Sequence, residues 1–169
     1  LAAQAALIDE LAKSKKRLEA AKAELEKKST EYEQLASSLK GEIEAGRIEL
    51  SELKGRMTVK MKDKILFSSG SATIGKEGLD ALRLVADALR TVQGKVIRVE
   101  GHTDNVPVAK PETKAKFPLG NLDLSLQRAL HVADWLIREG GVEARRVSCA
   151  GYGEHRPRAD NGTAEGRKK

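Results

Sequence analysis

Apolar positions in the first 55 residues repeat at helical spacing. Leu11, Leu18, Leu25, Tyr32 and Leu39 recur every seven residues, the mark of a coiled-coil seam. The companion row three residues on is poor: Ser14, Ala21, Lys28, Leu35 and Glu42. Toward the end of the segment Ile43, Leu50, Leu53 and Met57 resume an apolar stripe. The segment lacks proline and is rich in Ala, Glu, Lys and Leu. It therefore predicts one long helix over residues 1–55, roughly 80 Å if unbroken at 1.5 Å per residue. With only one good row, the pattern fits a weak coiled coil, a helix docked on a partner or a solvated spacer.

Beyond residue 55 the period changes. In "RMTVKM" Met57, Val59 and Met61 alternate with Thr58, Lys60 and Lys62, a half-buried strand. "LFSSGSATIG" is rich in turn residues, and Leu79, Leu82, Ala86 and Leu89 then mark one face of a helix. "KVIRVEG" is apolar enough for an interior strand. Pro107, Pro111 and Pro118 predict a helix-free loop. "NLDLSLQRALHVADWLIREGG" reads as a strong helix, with Asn121 or Asp123 as N-cap and Gly140–Gly141 as its stop. "RRVSCAGYG" is a further strand. Strands alternating with helices imply an α+β or α/β domain over 56–169, a sheet covered by helices.

Charge separates the two segments. Of 31 Lys/Arg and 25 Asp/Glu, residues 1–55 hold 10 and 11, and residues 56–169 hold 21 and 14. The second segment, net +7, prefers an anionic partner. One Trp, two Tyr and two Phe are too few for a base-stacking platform, which speaks against nucleic acid. No apolar run is long enough to span a bilayer, and Leu1 opens inside a helical pattern, so a continuation upstream is expected. A lone Cys149 excludes an internal disulfide, and it reads as a small buried side chain.

The candidate chemistry lies in "GHTDNVP", residues 101–107, at the carboxyl end of a strand, where open sheets receive ligands. His102 and Asp104 have no nucleophile beside them, because Ser68, Ser69 and Ser125 sit in no nucleophile-elbow pattern. His102, His131 and His155 are too scattered for a metal. No catalytic residue, metal ligand or cofactor site is assigned. Trp135 reads as core, and the basic "EHRPR" as a solvated loop. If the helix carrying Arg128 folds back beside the strand, Asp104 and Arg128 face one cleft. They could hold a zwitterion, carboxylate to ammonium and guanidinium to carboxylate, with amides near Leu122 to Leu124 adding donors. A structural salt bridge between the two is the equal alternative.

Three blocks in order, "GHTDNVP", "NLDLSLQRALHVADWL" and "GYGEHRPRADNGTAEGR", resemble the OmpA-like peptidoglycan-binding domain over about residues 56–169. The "GHTDNVP…FP" and "NGTAEGR" details are most similar to its flagellar-stator (MotB) branch. The resemblance implies a mixed βαβαβ-type sheet covered by helices, no enzymatic activity, and non-covalent binding to the diaminopimelate of the peptidoglycan stem peptide. It places the grip on Asp104 and Arg128, with Thr103, Asn121, Leu124 and Asn105 around the same pocket and Ser125 as a cap. It also implies a periplasmic location in a diderm bacterium, tied to the envelope by an upstream membrane anchor, with the helix as stalk and possible homodimer contact. A motor-stator role is the alternative. The family continues past "EGR" with a last strand inside the sheet. Without that strand, the first strand is expected to part from its neighbours.

Overall fold

The computed structural model describes residues 2–159 and 161–163. Helix α1 spans Ala2–Ser38 and a short α2 spans Lys40–Glu44. The helix therefore ends earlier than the reading to residue 55. Strand β1 (Ile48–Leu53) and strand β2 (Arg56–Met61) follow as an antiparallel hairpin, with Leu53 opposite Arg56. Its two-residue turn, Lys54 at φ 52° and Gly55 at φ 75°, supplies the positive φ at both central positions that matches strand twist. Ile48 is buried on this hairpin, so the apolar stripe after residue 43 belongs partly to a strand.

α1 is a stalk only in part. Ile8, Leu11, Leu18 and Leu25 are 61–72 % exposed, whereas Leu35 and Leu39 are fully enclosed with Ile48, Val85 and Ala88. Within the seven-residue row, Leu11, Leu18 and Leu25 lie open on α1, whereas Leu39, just past its end, is core; the buried Leu35 comes from the companion row. Lys95 pairs with Glu31 at 3.1 Å and adds a polar tie between α1 and the loop before β3.

At the join, Glu42 is 8 % exposed and accepts two hydrogen bonds of 2.6 Å from Arg47. Those bonds hold its carboxyl below the ordinary glutamate value, against the opposing effect of burial. A lowered folded pKa gives stability above the unfolded pKa that fades as pH falls through the folded one. Arg47→Ala is expected to destabilise the domain at neutral pH, because the Glu42 carboxylate loses its partner. Urea unfolding should show that difference shrinking on acidification to about pH 3.

A short helix α3 (Asp63–Leu66) leads through the Phe67↔Ile74 bridge into α4 (Lys76–Thr91). Strand β3 (Ile97–Gly101), helix α5 (Pro111–Lys116), helix α6 (Asn121–Arg138), a 3-10 turn (Ala144–Arg146) and β4 (Val147–Gly151) complete the order. α5 corrects the helix-free loop: Pro111 occupies the first turn, where a missing N–H costs nothing, and Pro118 lies just beyond the helix end. β3 and β4 pair in parallel, joined through α6. Leu66, Phe67, Leu82, Ala86, Val132 and Leu136 form the core under them. Trp135 packs at its margin, and Cys149 is half-buried rather than buried.

Among the described residues β2 and β3 do not pair. Between the hairpin and β3 runs a groove of about 660 Å³, lined by apolar side chains such as Val59, Met61, Phe67, Ile97 and Val99. The last motif block from Ala164 onward, and the end at Lys169, lie outside the described residues.

Candidate functional site

α6 lies directly on the glycine ends of β3 and β4. A Cβ at Gly101 would stand 2.0 Å from the Ser125 carbonyl oxygen, and one at Gly151 would stand 2.5 Å from the Leu126 nitrogen. This contact brings the strand exit and the Arg128 helix together. Ser125 is fully buried and acts as a latch rather than a cap: its hydroxyl donates to the Leu122 carbonyl and accepts from the Gly153 N–H, both at 2.9 Å. Gly120 takes the N-cap position, so neither Asn121 nor Asp123 caps the helix. The Leu124 amide donates to the Gly120 carbonyl at 3.0 Å and is not a spare donor.

The loop after β3 is stitched on both sides. The Gly101 carbonyl accepts from the Tyr152 amide at 2.9 Å, and the Thr103 amide donates to the Gly153 carbonyl at 3.0 Å. Asp104 Oδ1 accepts the Val106 N–H at 3.0 Å, closing a tight turn. Asn121 Nδ2 reaches the carbonyls of Asp104 and Val106 at 3.3 and 3.0 Å and Glu154 Oε2 at 2.8 Å. Asn121 thus fixes the loop's shape. Leu124 is buried with Ala72 and Phe117, below the loop. Asp104 and Thr103 are half-buried and Asn105 is exposed. Thr103 Oγ1 is buried without a hydrogen-bond partner among the described residues.

Arg128, 6 % exposed, does not pair with Asp104. Its ion pair is with Asp63 at 3.0 Å. Nε donates to the Ser71 carbonyl at 2.8 Å, Nη2 to the Ser68 carbonyl at 3.3 Å, and the guanidinium lies 4.9 Å over the Phe67 ring. Asp104 is still within electrostatic reach of both groups: its charge favours the Arg128 cation and disfavours ionisation of Asp63. Desolvation pushes the Asp63 carboxyl up and outweighs Arg128, although about half of its side chain stays exposed. Asp63 was not legible in the sequence, where "MKDKILF" carries no signal beyond an acid four residues before Phe67.

His102 ties the strand exit to the loop after β4. Its Nδ1 lies 2.9 Å from the Arg156 carbonyl, and its ring stacks on Tyr152 at 5.3 Å. Burial, then the Arg158 charge, push its pKa down, so it stays neutral at neutral pH. His131 reaches the Ala72 carbonyl at 2.5 Å, away from His102. Among the described residues no group of three or more His, Cys, Asp or Glu is placed to hold a metal.

The OmpA family model matches residues 66–169. The chain belongs to the OmpA family. This OmpA-family chain is 36 % identical over 144 residues to Motility protein B of Bacillus subtilis, covering 82 % of this chain and 53 % of the relative. It is 36 % identical over 109 residues to Outer membrane porin F of Pseudomonas aeruginosa, covering 64 % of this chain and 29 % of that protein. Among solved structures, the cell wall anchor of the T6SS from Pseudomonas aeruginosa matches with a TM-score of 0.69 at 37 % identity, over 79 % of this chain and 89 % of that one. The chain spans about half or less of the length of these two curated relatives. These likenesses agree with the expected α+β, OmpA-like fold behind a long helix.

Proposed function

We propose that the domain binds peptidoglycan without covalent chemistry, through the diaminopimelate of the stem peptide, and anchors an envelope protein to the cell wall. Asp104 takes the ammonium of the diaminopimelate head, and Arg128 meets its carboxyl group. Thr103 and Asn105 flank Asp104, Asn121 holds the loop, and Leu124 supports it from below. The observation that carries this reading is an Asp104 carboxylate with no cation paired to it among the described residues, at a strand exit, within electrostatic reach of the buried Arg128. Membership in the OmpA family and the likeness to a structure described as a cell wall anchor support it. The protein would work in the periplasm, not as an enzyme and not on nucleic acid, with its membrane attachment upstream of Leu1. The open leucine row of α1 suits self-association of two stalks. A stator-like role is the second reading, favoured by the match to Motility protein B over most of this chain.

Binding to one site should be modest and be reinforced by several copies on one polymer. Co-sedimentation with purified diaminopimelate-type sacculi tests the reading. Asp104→Asn is expected to bind at least about tenfold more weakly, as a lost charged contact implies. A folded Asp104→Asn that sediments like the parent would refute the assignment. Release of soluble fragments from the sacculi would instead indicate a hydrolase.

A further inference from the structure

The charges at the site do not suit a symmetric clasp. Two carboxylates, Asp63 and Asp104, act on one guanidinium. Three of the five Arg128 N–H groups already donate, to Asp63, Ser71 and Ser68, and the side chain is almost wholly buried. An incoming carboxylate would therefore meet an arginine already neutralised by Asp63, and would approach a second negative charge at Asp104. An incoming ammonium meets the reverse situation, an Asp104 carboxylate whose hydrogen bond in the structure comes from an uncharged backbone amide. The two halves of the ligand head are thus read unequally. A carboxamide presents the same carbonyl acceptor to the remaining Arg128 N–H groups and brings no repelling charge.

Resting on the diaminopimelate reading above, we propose that the site reads the ammonium and is indifferent to amidation of the adjoining carboxyl group. Stem peptides whose diaminopimelate is carboxamide-capped are then ligands in their own right. Asp63 is the residue that sets this tolerance, as a positioning group that neutralises Arg128 without touching the ligand.

The test is calorimetric titration of the whole chain with the tripeptide L-Ala-γ-D-Glu-meso-diaminopimelate and with its side-chain carboxamide. The parent is expected to bind the two within about fivefold of each other, as expected where a carboxylate adds no net attraction. Asp63→Asn, which frees the Arg128 charge, is expected to shift preference toward the acid by more than about fivefold. Should the parent favour the acid by more than about fivefold while Asp104→Asn loses both peptides, the inference falls and the diaminopimelate reading stands. Should Asp104→Asn bind both as the parent does, or the parent bind neither, that reading falls too. The parent comparison decides the matter even if Asp63→Asn does not fold.

Discussion

Gly101→Ala is expected to destabilise the domain by roughly 4 kcal/mol or more, beyond the usual cost of overpacking. The added methyl would stand 2.0 Å from a backbone carbonyl oxygen of α6, and no rotamer change can relieve a backbone contact. Either the helix lifts from the sheet or the strand bends away. Both movements separate the Asp104 loop from Arg128, so sacculus binding should fall together with stability. Gly94→Ala is the control. A Cβ there meets nothing within 4 Å, and its positive φ alone should cost about 1–2 kcal/mol. Urea midpoints for the two variants measure the difference between a lost contact plane and a strained torsion.

Arg128→Met should lose binding and about 3 kcal/mol of stability together, as expected when one partner of a buried pair is removed. The guanidinium secures Asp63 and the carbonyls of Ser68 and Ser71, so its loss leaves buried acceptors unmatched and frees the loop before α4. A binding defect in this variant is therefore ambiguous by itself, whereas Asp104→Asn removes a charge without disturbing a comparable frame. Circular dichroism melts beside sedimentation separate the two effects. A variant with parental stability would show that the frame is held by the backbone alone.

The long elements were legible because each carries one dominant period. α4 and α6 have a clear apolar face, and β3 and β4 are short strands with Ile97, Val99, Val147 and Cys149 at alternate positions, each ending in glycine. "RMTVKM" was read as a strand and is β2, but its partner β1 was missed because "IELSEL" is built from residues that helices accept equally, and only burial of Ile48 with the Lys54–Gly55 turn selects the strand. The order of elements was enough to bring Asp104 and Arg128 within range of each other's charge. The ion-pair partner of Arg128 was not legible, since Asp63 lies 65 residues from it and nothing local marks it. Ser125 and Asn121 carry residue types suited to caps. Tertiary contacts with Gly153 and the Asp104 loop gave them other work.

The division of α1 has a mechanical meaning. Its exposed portion, from Ile8 to Lys27, reaches roughly 30 Å at 1.5 Å per residue. Its final turns are wedged among Ile48, Val85 and Ala88. Tension applied at the far end would enter the interior of the domain as shear across packed side chains, with no swivel between rod and head. Such a link behaves as a strut, fixing both the distance and the heading of its far end relative to the domain.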